Sequence, residues 1–115
     1  MIFTHLEIAD IFEVEHEITM NNTEDFKENI EMFLMNSSEC MILDLERALY
    51  LNNSALRIIA CSAMAAKNNN KELVIVGIKP PLNEIFEIVK ITNYMRIFKT
   101  RKEAIDYFKG DYLES

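Results

Sequence analysis

The chain has 115 residues, 19 of them acidic against 12 basic, a formal charge of −7, 50% hydrophobic and 27% charged residues. By size it is one domain, long enough for a single core without staples, with the composition of a soluble globular protein. The acidic balance argues against nucleic acid, no apolar run nears the roughly 18 residues of a membrane span, and no basic flank and apolar stretch mark a secretory signal.

Phe3 to Ile8 alternates weakly between apolar and polar residues and Ile11 to Ile18 alternates well. Phe12, Val14 and His16 fall on one face, with Ile11, Glu13, Glu15 and Glu17 on the other. Period two predicts a half-exposed strand, and Ala9-Asp10 is a plausible tight connection, so the chain opens on a β-hairpin. Thr23, followed by Glu24 and Asp25, starts a helix: a side-chain oxygen serves the free amides and the acids suit the positive end of the dipole. Phe26, Ile30, Phe33 and Leu34 carry its apolar stripe to about Met35.

Cys40 to Leu45 is a nearly continuous apolar run, the pattern of a strand covered on both faces. Ser54 to Lys67 follows as a helix with Leu56, Ile59, Ala60 and Ala63 in one stripe. Asn68 to Lys71 ends it, and Leu73 to Ile78 is a second fully buried strand. Pro80 and Pro81 suit a first helical turn, and Leu82, Ile85, Phe86 and Val89 form that helix's stripe. Met95 to Phe98 reads as a short strand. Thr100 caps a last helix to about Phe108, with Ala104, Ile105 and Phe108 inward. The order β-β-α-β-α-β-α-β-α predicts an α/β protein with a mixed sheet, in which Cys40–Leu45 and Leu73–Ile78 are parallel neighbours joined by a right-handed helical crossover.

Enzyme and metal motifs are missing. Two glycines cannot build a phosphate loop, and there is no nucleophile elbow. His5 and His16 have no partners at ligand spacing, so no metal site is expected. Arg96, Lys99, Arg101 and Lys102, the nearest thing to a basic cluster, read as a solvated edge. Cys40 and Cys61 are two lone thiols, which suits a reducing cytoplasm, and both read as buried small hydrophobes. Asp44 and Glu46 read as a strand-end cap and a surface charge. Asp44 also ends a buried strand, where a response-regulator receiver carries its phosphoacceptor.

The richest stretch is Cys40-Met-Ile-Leu-Asp-Leu-Glu46, then Tyr50-Leu-Asn-Asn-Ser-Ala-Leu56, Glu72-Leu-Val-Ile-Val-Gly-Ile78 and Ile91-Thr-Asn-Tyr-Met-Arg-Ile-Phe98. It resembles the STAS domain, the sulphate-transporter and anti-sigma-factor-antagonist family, with a match in pattern from about residue 3 to residue 108. The resemblance implies a STAS-like fold of about four helices on a mixed sheet. It also implies a non-enzymatic, cofactor-free protein binder in a bacterial cytoplasm, acting in transcription regulation by docking on an anti-sigma factor or switch kinase.

The family's switch loop usually reads Asp-Ser-Ser-Gly-Leu, and its first Ser takes the phosphate. Here the loop is Asn52-Asn53-Ser54-Ala55-Leu56, so the acceptor position is Asn53, which has no hydroxyl. Ser54 matches the second Ser. It is read as an N-cap or first-turn hydroxyl, with a shifted phosphoacceptor as the other reading. Lys90 and Ala55 stand where the family has glycines. The residues matching the family's partner surface are Asn52, Asn53, Ser54, Arg57, Ile58 and Cys61. A constitutive or diverged binder follows from the lost hydroxyl. The alternatives are a receiver-like phosphoacceptor at Asp44 and a structural subunit of a larger complex.

Overall fold

The computed structural model describes residues 1–88 and 90–110. Five strands, β1 (Ile2–His5), β2 (Asp10–Glu13), β3 (Cys40–Asp44), β4 (Glu72–Val76) and β5 (Ile97–Phe98), form one sheet in the order β1-β2-β3-β4-β5. The helices are α1 (Thr23–Asn36), α2 (Asn53–Asn68), α3 (Leu82–Ile88) and α4 (Arg101–Phe108), with a short 3₁₀ turn at Ile91–Asn93. β1 runs antiparallel to β2 with Phe3 opposite Phe12, and all later neighbours are parallel. The expected β3–β4 pair is present, with Ile42 opposite Val74.

The strand order never reverses, so crossovers of one hand carry α1, α2 and α3 to the same face of the sheet. The apolar residues sort accordingly. Phe12, Met41, Leu43, Leu73 and Ile75 pack with Phe26, Ile30, Leu56, Ile59 and Phe86 from those helices. Their strand neighbours Ile11, Ile42, Val74 and Val76 point the other way, toward Ala104 of α4. This double covering makes β3 and β4 continuously apolar.

Double covering also corrects the reading of β2. The strand is not half-exposed: Asp10, Ile11 and Phe12 are all buried, and on the second face Ile11 clusters with Ala9, Ile42 and, some ninety residues later, Ala104 of α4. It begins at Asp10, which is therefore not in the turn; Leu6 and Ala9 close the hairpin with a backbone hydrogen bond. It ends at Glu13, and Ile18 makes only an isolated parallel bridge to Leu51. Val14 belongs to the core while His16 is exposed. Val89, expected in the α3 stripe, lies outside the described residues.

Thr100 does cap α4, its Oγ1 accepting from the Glu103 amide at 3.1 Å. Lys90 takes a left-handed conformation, φ 56° and ψ 39°. That conformation explains a glycine at the family's equivalent position, since only glycine adopts it without steric penalty.

Candidate functional site

The C-terminal ends of β2, β3 and β4 share one end of the molecule, and the loop into α2 is anchored there. The Ile18 amide donates to the Tyr50 carbonyl at 3.0 Å and the Asn52 amide donates back to Ile18 at 3.1 Å. The β2–α1 and β3–α2 loops are thereby laced together just before α2 begins.

Asn52 is the N-cap. Its Oδ1 accepts from the Ala55 amide at 2.8 Å, satisfying one of the orphan donors of the first turn. Its Nδ2 donates to Thr23 Oγ1 at 2.8 Å. The Thr23 hydroxyl itself donates to the Thr19 carbonyl, so its oxygen is left as an acceptor. An aspartate could cap the helix but has no proton for Thr23; an asparagine does both. The amide that replaces the family's usual acid thus ties α2 to the first residue of α1.

With Asn52 as cap, Ser54 has no such duty, and this corrects the cap reading. Its hydroxyl makes no hydrogen bond to another described residue, and the side chain is exposed, as is that of Asn53 at the first helical position. The first turn carries no acidic residue. Ala55 is helical and fully buried, so this loop does not need the flexibility of a glycine. Arg57 is exposed and Ile58 half-buried. Cys61 is exposed, which corrects its reading as a buried thiol, while Cys40 is half-buried and burial pushes its thiol pKa up.

The structure therefore places Asn53, Ser54, Arg57 and Cys61 on the outward part of α2. It adds residues beyond the six that match the family's partner surface. Met20, Leu49 and Tyr50 are exposed apolar residues on the two laced loops. Lys27, Glu31 and Leu34 of α1 line a groove with Ser54, Arg57, Ile58 and Cys61. Met20 lies in a stretch that reads as a polar break, and the α1 residues reach the site only through tertiary packing.

Asp44 is engaged elsewhere. It is 3% exposed, accepts the Glu46 amide at 2.9 Å, and accepts from Arg101 Nε at 2.6 Å. Arg101 also reaches Glu13 at 3.2 Å, so the carboxylate a receiver would phosphorylate is here part of an ion-pair cluster fixing α4. His5 contacts Asp10, whose other oxygen accepts the Ser38 amide at 2.7 Å. Burial opposes ionisation of Asp10, but these hydrogen bonds outweigh it and hold the carboxyl below its usual range. Among the described residues no cluster of His, Cys, Asp or Glu is suited to a metal, and no helix is long and apolar enough to cross a membrane.

Comparison with known proteins agrees with this architecture. A family model described as the STAS domain matches residues 4–104. BtrV of Bordetella bronchiseptica, named as an anti-sigma factor antagonist, is 30% identical over 69 residues, an alignment covering 60% of each chain. Among solved structures, a Thermotoga maritima protein described as an anti-sigma factor antagonist superposes with a TM-score of 0.85 at 15% identity, over 93% of this chain and 92% of that one. An anti-sigma factor antagonist from Mycobacterium paratuberculosis gives 0.82 at 15% identity, over 94% and 92%.

Proposed function

The chain belongs to the STAS domain family, and we propose that it is a non-enzymatic regulator that works by binding a protein partner, an anti-sigma factor or switch kinase, in a bacterial cytoplasm. The docking surface is the start of α2: Asn52, Asn53, Ser54, Arg57, Ile58 and Cys61, with Met20, Leu49 and Tyr50 beside it. The carrying observation is the state of that helix start. It is tied down by the Asn52 cap, the Asn52–Thr23 hydrogen bond and the Ile18–Leu51 bridge, yet it presents Asn53 and Ser54 to solvent without occupation by other described residues. A preorganised surface loses little ordering entropy on docking.

The proposed binder takes no phosphate at position 53. An amide offers no nucleophilic hydroxyl, and the neutral helix start stays permanently in the form a partner reads. Ser54 has a free hydroxyl but sits one residue further along α2, exposed in the groove wall.

The test is to purify the chain with the anti-sigma factor or switch kinase of its own host. A binding titration, followed by incubation with ATP and peptide mass spectrometry, reads both parts. A complex forms and position 53 stays unmodified. Stoichiometric phosphate on Ser54 that dissolves the complex would overturn the constitutive reading, and no complex at all would overturn docking itself.

A further inference from the structure

Between α1 and α2 an open groove runs from Ser54 toward Asn69. Along α2 this is about 22 Å, roughly four helical turns at 1.5 Å per residue. Leu34, Ile58 and Ala65 give it an apolar floor, and Leu34 and Ile58 continue into the core beneath. The rim at the Ser54 end carries Lys27 and Arg57, and neither forms an ion pair among the described residues. Both cations are thus available in a chain whose net charge is −7. Glu31 follows one turn after Lys27 and is also without an ion pair among the described residues. At the far end Met35 is 80% exposed, and Lys71 closes α1 by donating to the Leu34 and Ser37 carbonyls at 2.9 and 3.0 Å.

From this geometry we propose that the α1–α2 groove seats an amphipathic helix of the partner protein, apolar toward Leu34, Ile58 and Ala65 and carrying an acidic residue opposite Lys27 and Arg57. The proposal rests on the docking reading above and specifies the partner's chemistry.

Two arguments select this occupant. Both walls are helices whose backbone groups are already paired, so an extended peptide finds no strand edge to join; side chains alone can engage, which is the helix-in-groove mode. The charges then set direction. Lys27 and Arg57 attract an acid at the Ser54 end, and Glu31 disfavours a second acid further along, so the partner helix is read in one register. Met35 supplies an adaptable apolar contact where the groove opens. The groove adjoins Asn53, so one partner spans both the helix start and the groove.

The test uses the full chain and the purified host anti-sigma factor or switch kinase. The double variant Lys27→Glu, Arg57→Glu changes only groove-rim side chains and keeps the parent's melting temperature. It binds at least tenfold more weakly, whereas Glu31→Lys binds as well as the parent or better. Exposed Cys61 also reports directly: its alkylation by N-ethylmaleimide slows severalfold in the complex. If the parent binds but the double variant binds equally well and Cys61 reacts at an unchanged rate, the groove assignment is wrong, and Asn53→Asp, which lies outside the groove, then decides whether docking at the start of α2 stands: weaker binding keeps it and equal binding ends it. If the parent fails to bind, the docking reading falls and the groove assignment with it.

Discussion

The two faces of the sheet are built by different means. On one, α1, α2 and α3 bury a wide apolar layer from Phe12 and Leu43 to Ile59 and Phe86. On the other, Ala104 of α4 meets a smaller patch of Ala9, Ile11, Ile42, Val74 and Val76, and polar contacts complete the helix's attachment. Arg101 clasps Asp44 and Glu13, and Tyr107 donates to Glu72 at 2.7 Å. Burial and the Glu72 carboxylate push the Tyr107 phenol up to about 12, so it remains the donor at any ordinary pH. The thick face is therefore a deep apolar core under three helices, and the thin face is a cover held by directional contacts.

Substitutions sharpen the contrast. The largest effect belongs to the thick face: Leu56→Ala removes a side chain packed into the main core and lowers stability by about 2–5 kcal/mol, read by denaturant unfolding. On the thin face, Arg101→Ala leaves the buried Asp44 carboxylate without its cation and lowers stability by about 1–3 kcal/mol. Adding Asp44→Asn recovers part of that loss, which a purely packing role for Arg101 would not allow. An Arg101→Ala variant less stable than Leu56→Ala would reverse the ranking of the two faces.

Between these extremes lies the Asn52 bridge. Asn52→Ala removes the cap and the link to Thr23 and lowers stability by about 0.5–2 kcal/mol. Asn52→Asp keeps the cap but not the donor to Thr23, so it falls between parent and alanine. If the aspartate variant matches the parent in thermal unfolding, the α1–α2 link carries nothing. A smaller effect has the opposite sign. Lys90→Gly relieves a left-handed residue and stabilises by about 1 kcal/mol, unlike most glycine substitutions.

The sequence was most legible where both faces of a strand are covered, as from Met41 to Leu45 and from Leu73 to Val76. Cys40–Leu45 and Leu73–Ile78 have no polar face to confuse the pattern, and their pairing follows from one intervening helical period. Thr100 was legible because a cap acts within three residues. β2 was less so: Ile11 clusters with Ala104 of α4 and Asp10 pairs with Met41 of β3, both distant in sequence. At the candidate site, Asn52, Asn53 and Arg57 followed from the loop pattern. Asn52 as donor to Thr23, the exposure of Cys61 and the groove contributed by Lys27 and Leu34 did not, because each arises from packing α1 against α2.

The most direct test of the account is the neutrality of the helix start. Asn53→Asp places a carboxylate at the first position of α2, where the dipole stabilises an anion by about 0.3–1 kcal/mol. In a partner complex the same charge loses water, and the cation one helical turn on, Arg57, is the one the partner's acid would use, so the carboxylate competes with the partner for it. Thermal unfolding and a binding titration of parent and variant against the host anti-sigma factor or switch kinase measure both. The account predicts a variant that melts no lower than the parent and binds more weakly; equal affinities would contradict docking at the start of α2.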